Sequence, residues 1–265
     1  MKLTRNLKKY LLPVCLVLAF ALLLGLTLNL YKPIKQLKNN KMPVKGDLIT
    51  IDGMPYRVLK VDGTVAEVLS LNTYSDSYLM FNSSSAAVAN VYAGSTVDKY
   101  CNETFYRNHL SNDVRKAIVD KTFQQDAWFK EDEGSPVYLE TYLVASEGMR
   151  IRKRSLATST YGDEITRHCY LLSVQDVIDY LEVTPDMTAD NTTFTQKNIW
   201  KAFFNSDSAV DQYPWLRSAK YDDSTQVAHL NGQTGSVSFV LAATGNGNFT
   251  YAAFQIDLAK IAWTK

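Results

Sequence analysis

An uncharged apolar run near the N-terminus is the feature that most constrains the fold of this chain. It spans Leu11 to Leu28 and reads LLPVCLVLAFALLLGLTL. Extended to Tyr31 it has about 20 residues, enough at roughly 1.5 Å per residue for a helix to cross a hydrocarbon core of about 30 Å. Because no A-x-A cleavage pattern follows, the run favours an uncleaved membrane anchor over a signal peptide.

The charges divide the chain into a basic N-terminal part and an acidic remainder. Residues 1–45 carry nine Lys or Arg and no acid, and the rest carries 19 basic and 27 acidic residues. An acidic domain repels phosphate backbones, so nucleic acid is not expected as a partner. Basic flanks instead suit anionic lipid headgroups.

We therefore expect four regions along the chain. Residues 1–9 form a cytoplasmic tail, 10–31 a transmembrane helix in the bilayer of the cell membrane, 32–45 a basic linker, and 46–265 an extracytoplasmic domain. The basic residues on both sides of the span do not orient it by themselves. The very short tail and the large acidic domain favour a cytoplasmic N-terminus.

The segment 47–72 gives the clearest local prediction. Apolar and polar residues alternate around two Asp-Gly pairs, Asp52-Gly53 and Asp62-Gly63. Asp-Gly suits the positive φ angles of tight hairpin turns, so the segment predicts a three-stranded antiparallel meander.

The remainder of the outer domain mixes helices with strands. Ser95, Ser111 and Ser173 are placed to cap helices, and 195–204 has an amphipathic helical pattern. Strand patterns occur at 136–145, 168–172, 215–218, 226–230, 237–242 and 251–258, and Asn231-Gly232 is a further hairpin signal. The predicted class is α+β, with a mixed, mainly antiparallel sheet and a few helices.

Segments of the outer domain, in order, resemble the bacterial domain-of-unknown-function family 6273. They are GDLITIDGMPYRVL (46–59), VDKYCNETFYRNHLSNDVRKAIV (97–119), YLLSVQDVIDYL (170–181) and a last part with PWLRSAKY (214–221), GSVSF (235–239) and AAFQIDLAKIAW (252–263). The chain departs from the family pattern at Pro214, where a Trp is usual, and at Ala252-Ala253, where Arg-Pro is usual. The resemblance implies no activity.

The closing pattern is also similar to C-type-lectin-like folds, which suggests a fold by analogy and transfers no function. The sugar-binding calcium signature of true lectins is absent from the sequence. Clustered His and Cys residues of the kind that bind zinc are absent too. The sequence thus predicts neither a metal site nor a cofactor.

Trp215, Arg217 and Tyr221 form the candidate ligand-binding cluster. On a strand, Trp215 and Arg217 share a face, and an aromatic ring beside a guanidinium can hold a sugar or a peptide carboxylate. The alternative, which the pattern favours, is a core Trp whose neighbouring Arg satisfies buried carbonyl groups.

Cys101 and Cys169 are the two cysteines outside the apolar run. In an oxidising exterior they can form a disulfide. Both also lie in apolar patterns, so two buried free thiols are an equal alternative. His168 and Cys169 are adjacent on a predicted strand and point to opposite faces, which excludes a dyad between them.

The leading functional hypothesis is a non-enzymatic cell-surface domain that binds a protein or glycan. An envelope hydrolase with its acid or base among Asp222, Asp223 and His229 is the alternative, and a structural part of an envelope complex is a third. A pocket that joined those three side chains would favour the hydrolase.

Overall fold

The computed structural model describes residues 41–82, 88–130, 140–144, 149–154, 164–184, 200–204, 213–230, 237–243 and 248–265. The expected tail and anchor, most of the expected linker, and the Asn231-Gly232 hairpin lie outside these residues. Among the helices of the described ranges, none has the length and apolar character needed to cross a membrane.

The first sheet is built on the predicted meander, which is confirmed. It begins with β1 (Leu48–Ile51), β2 (Met54–Asp62) and β3 (Val65–Ser70), each antiparallel to the next. The β1–β2 turn places Asp52 at φ 53° and Gly53 at φ 78°, the left-handed region in which Asp and Gly are tolerated. Gly63, in the β2–β3 turn, has φ 59°.

Strands from distant parts of the chain complete this sheet. They are β4 (Ile118–Val119), β10 (Cys169–Tyr170), β15 (Ala253–Asp257) and β16 (Trp263–Thr264). The order is β10-β15-β3-β2-β1-β16, and β4 also pairs with β15. Among the described strands, the first therefore pairs with the last, at one edge of this sheet.

The second sheet follows the order β13-β12-β11-β6-β8-β7, with β14 on β11. Its strands are β6 (Ala127–Lys130), β7 (Glu140–Val144), β8 (Met149–Arg154), β11 (Tyr213–Lys220), β12 (Gln226–Leu230), β13 (Val237–Leu241) and β14 (Asn248–Phe249). The pairs β11–β6 and β11–β14 are parallel and the others antiparallel. A short third sheet pairs β5 (Lys121–Phe123) with β9 (Ile165–Arg167).

Three helices begin at the predicted serine caps. They are α1 (Thr96–Lys99), which continues as a π-helix over Tyr100–His109, α2 (Asn112–Ala117) and α3 (Val174–Leu181), and a further π-helical turn covers Trp200–Phe204. Ser95, Ser111 and Ser173 each accept a hydrogen bond from the backbone N–H three residues on, and Ser173 with Asp176 forms a full capping box.

One core of aromatic and branched side chains joins the sheets and helices. Its largest enclosed side chains include Trp128, Trp215 and Trp263. The π-helix packs against β10, and α3 packs against β11. The architecture is thus mixed α+β with mostly antiparallel sheets, as the sequence predicted.

Candidate functional site

A pocket of about 360 Å³ opens where the start of α1 and the π-helix meet the end of β9. We call it the Arg167 pocket. Eight residues line it: Gly94, Asp98, Lys99, Asn102, Glu103, Thr166, Arg167 and His168. Its lining is polar and carries both signs of charge, which suits a polar ligand held by hydrogen bonds.

An ion pair between Asp98 and Arg167 forms the floor of the pocket. Both contacts are 2.7 Å: Arg167 Nε donates to Asp98 Oδ1, and Arg167 Nη2 donates to Asp98 Oδ2. Gly94 N–H also donates to Asp98 Oδ2, at 2.8 Å. The hydrogen bond to Asp98 raises the pKa of Arg167, so the guanidinium stays fully charged.

Asn102 fixes the π-helix to β10 behind this floor. Its amide nitrogen donates to the Cys169 carbonyl at 2.8 Å and to Asp98 Oδ1 at 3.1 Å, and its amide oxygen accepts from Cys169 N–H. Arg167, Gly94 and Asn102 all donate to the Asp98 carboxylate, which therefore has no lone pair left to accept a hydrogen bond from a ligand. The floor is therefore a rigid, saturated support.

Two opposite charges stand on the rim of the pocket. Lys99 and Glu103 are exposed residues four apart on one helical segment. Within the part of the chain described, neither side chain has an ion-pair partner. A ligand that offers both a hydrogen-bond donor and an acceptor can therefore engage both groups.

His168 closes the side of the pocket with a fixed ring. Its Nδ1 lies 2.5 Å from Asp120 Oδ1, and its ring stacks on Tyr106 with centroids 4.5 Å apart and planes at 16°. A carboxylate at Nδ1 selects the tautomer with its proton there, which leaves Nε2 as an acceptor in neutral histidine. This is the arrangement of an oriented general base.

The predicted cluster of Trp215, Arg217 and Tyr221 lies elsewhere, on and just after β11. Trp215 is buried, donates from Nε1 to the Leu79 carbonyl at 2.8 Å and packs on Phe81. Tyr221 stacks at a tilt on Phe129, with centroids 4.5 Å apart. Their ligand-binding role stays a prediction.

Arg217 belongs to a buried network of charges. Its Nη1 donates to the Leu171 carbonyl and, at 2.6 Å, to Asp176 Oδ2, and its guanidinium lies 4.3 Å from the centre of the Phe123 ring. Lys121 adds a second cation 3.6 Å from Asp176. Burial alone would raise the pKa of Asp176, but Arg217 and Lys121 together lower it to about 2.

The three hydrolase candidates do not meet at the Arg167 pocket. Asp223 accepts hydrogen bonds from Thr225 and Gln226 in the turn before β12, and these lower its pKa. Asp222 lies 3.8 Å from Lys220. His229 is buried beside Trp215, and burial lowers its pKa to about 4. Among the described residues no group of three or more His, Cys, Asp or Glu is arranged to hold a metal ion.

Cys101 and Cys169 are two buried free thiols in the structure and do not form a disulfide. Cys101 faces inward from the π-helix and contacts the Tyr92 hydroxyl, and Cys169 is enclosed in β10. Burial raises the pKa of both thiols, which makes them poor nucleophiles.

Sequence reasoning missed the Arg167 pocket. Its residues come from two segments, 94–103 and 166–168, that are about 65 positions apart and meet only through the packing of the π-helix on β10. The one available signal was Ser95 with Asp98, which predicted a helix start but not the arginine that Asp98 binds.

The family model described as "Domain of unknown function (DUF6273)" matches residues 75–249, more than half of the chain. This range includes the whole Arg167 pocket. No curated protein and no solved structure matched.

Proposed function

The chain belongs to the family described as domain of unknown function DUF6273, and we propose that it is a membrane-anchored, extracytoplasmic domain that binds a polar glycan or peptide without catalysis. The anchor is the apolar run within 10–31, and 32–45 links it to the domain. We include in the proposal a C-type-lectin-like fold, which the antiparallel sheet with paired first and last strands supports.

The Arg167 pocket carries this proposal. At its floor, Arg167 already donates to both oxygens of Asp98, so these side chains need not rearrange when a ligand enters. Its rim offers Lys99 as a donor, Glu103 as an acceptor and the His168 ring as a flat wall. Donor, acceptor and ring together suit a sugar or an extended peptide better than an apolar molecule.

The test uses the full chain in a detergent without a sugar headgroup, applied to glycan arrays and to peptide and glycan fractions of bacterial envelopes. We expect Lys99→Ala and Glu103→Ala each to weaken binding about tenfold, since each removes one charge-assisted hydrogen bond of roughly 1.5 kcal/mol. Both residues are exposed, so thermal unfolding should be unchanged.

Arg107→Met provides the matched control, because Arg107 is an exposed cation on the same π-helix that does not line the pocket. Arg107→Met should bind as the unchanged protein does. If both rim variants also bind normally, or if the unchanged protein retains nothing, the Arg167 pocket is not the binding site.

The His168–Asp120 pair favours a second candidate, a hydrolase acting at the same pocket. Nε2 of His168 would accept a proton from water while Asp120 holds Nδ1. Asp120→Asn would then lower the turnover of a bound glycan or peptide by about 100-fold or more and leave binding intact. Ligand recovered unchanged after prolonged incubation with the unchanged protein would remove this candidate.

A further inference from the structure

At one end of the second sheet, buried side-chain atoms lack hydrogen-bond partners within the described part of the chain. They are Nδ1 of His229, Nδ2 of Asn248 and Oγ1 of Thr250. All three residues are buried, with exposed fractions of 5 %, 2 % and 3 %. An unsatisfied buried group costs about 1–3 kcal/mol, so three in one region require an explanation.

Strand pairing brings these groups together around one tyrosine. β11 lies between β12 and β14, with Trp215 opposite His229 and Tyr213 beside Asn248. The Tyr213 ring stacks on the His229 imidazole, with centroids 5.5 Å apart and planes at 17°. Thr250 lies two residues beyond Asn248, and its backbone N–H donates to the Ser77 carbonyl.

The chemistry of this cluster is polar but uncharged. An amide, a hydroxyl and an imidazole kept neutral by its burial stand beside two aromatic rings, those of Tyr213 and Trp215. A charged ligand would find no compensating charge among these groups. A neutral sugar offers hydroxyl groups that both donate and accept, and an apolar face that packs on an aromatic ring.

We propose that Tyr213, His229, Asn248 and Thr250 form a subsite for one neutral sugar unit, whose hydroxyl or acetamido groups pair with the three unsatisfied atoms. Tyr213 begins β11 and is half-buried, and its ring stacks on the enclosed His229 imidazole. The subsite shares no residue with the Arg167 pocket and does not depend on that pocket's function.

The test is titration calorimetry on the full chain in a detergent without a sugar headgroup. The ligands are N-acetylglucosamine and glucose, with glucuronate as the charged comparison. We expect the two neutral sugars to bind and glucuronate not to bind. Asn248→Leu and Thr250→Val should each weaken binding about tenfold, the equivalent of one neutral hydrogen bond.

The same variants, measured without sugar, distinguish a ligand site from a structural one. Asn248→Leu and Thr250→Val remove unsatisfied atoms while nearly keeping side-chain shape, so the unfolding temperature should stay constant or rise. If both variants lower it, the groups are satisfied by ordered water only and the proposal is wrong.

Two further variants serve as controls. Thr96→Val makes the same chemical change at an exposed position and should leave sugar binding unchanged. Arg107→Met, at an exposed position outside both sites, should also leave it unchanged. Loss of affinity in Lys99→Ala together with full affinity in Asn248→Leu and Thr250→Val would assign the sugar to the Arg167 pocket and overturn the proposal. An unchanged protein that binds neither neutral sugar overturns the proposal, and so do Asn248→Leu and Thr250→Val variants with undiminished affinity.

Discussion

Asp176→Asn is expected to remove a defined part of the protein's acid sensitivity. The folded state lowers the pKa of Asp176 from 3.8 to about 2. At 1.36 kcal/mol per unit, the ionised carboxylate stabilises the fold by about 2.5 kcal/mol. Because the folded pKa is the lower one, this stabilisation is complete above pH 4 and is lost as the pH falls towards 2.

At pH 7 the same substitution lowers the free energy of unfolding by more than these ~2.5 kcal/mol. It leaves the Arg217 guanidinium, whose side chain is 5 % exposed, without the carboxylate 2.6 Å away. Breaking a buried ion pair from one side costs about 3–5 kcal/mol, since the remaining charge stays buried and uncompensated. Lys121, 3.6 Å from Asp176 on its other side, would lose a partner as well and adds to the cost.

Urea unfolding followed by tryptophan fluorescence measures both effects, at pH 7 and at steps between pH 4.5 and 2.5. The difference between the unchanged protein and Asp176→Asn should be largest at pH 7 and shrink through the acid range. Asp113→Asn is the control, because its side chain is 82 % exposed and should change stability by under about 0.5 kcal/mol. A difference independent of pH would refute the assignment of the shift to Asp176.

Three further outcomes follow from the structure. Between pH 6.5 and 4 the unfolded chain binds a proton on His229 that the buried imidazole, with its pKa of about 4, does not bind, so the free energy of unfolding falls by about 3 kcal/mol over this range. His229→Phe should abolish this fall, and an unchanged pH dependence of stability would contradict the assignment. Gly53→Ala should lower the unfolding free energy by about 1 kcal/mol, because φ is 78° and no atom lies near enough to a new methyl group to add a packing term. Iodoacetamide should label neither Cys101 nor Cys169 in the folded protein and both in urea, as peptide mapping by mass spectrometry would show.

The parts of the fold that the sequence predicted are those specified by short-range interactions. The Asp52-Gly53 turn depends on the φ angles of two adjacent residues, and the caps at Ser95 and Ser173 depend on a backbone N–H three positions on. Each of these interactions is complete within about four residues. Tertiary contacts strengthen them but do not decide them.

The candidate sites could not be predicted in the same way, because their members are distant in sequence. Asp98 meets Arg167 across 69 positions, and His168 meets Asp120 across 48. The sequence shows a capping aspartate and a histidine in a predicted strand, but no local pattern pairs either with its partner. The short strands at β5, β9 and β10 that create these contacts have too few residues for a recognisable alternation.

Strand β11 shows what residue type alone leaves open about ligand binding. Arg217 and Trp215 are the residues that the sequence made conspicuous. Leu79 already accepts the hydrogen bond of Trp215, and Leu171 and Asp176 accept from Arg217 Nη1, although Arg217 Nε is buried without a partner among the described residues. The half-buried Tyr213, four residues before Arg217, borders atoms of His229 and Asn248 that the described protein leaves unsatisfied. A ligand can pair with polar atoms that the protein leaves without hydrogen-bond partners. The number of polar atoms in a side chain does not show how many of them lack a partner. On that criterion we place the proposed sugar subsite at the start of β11, where neutral groups beside Tyr213 are unsatisfied, because Arg217 Nε in the middle of the strand belongs to a cation already paired with Asp176.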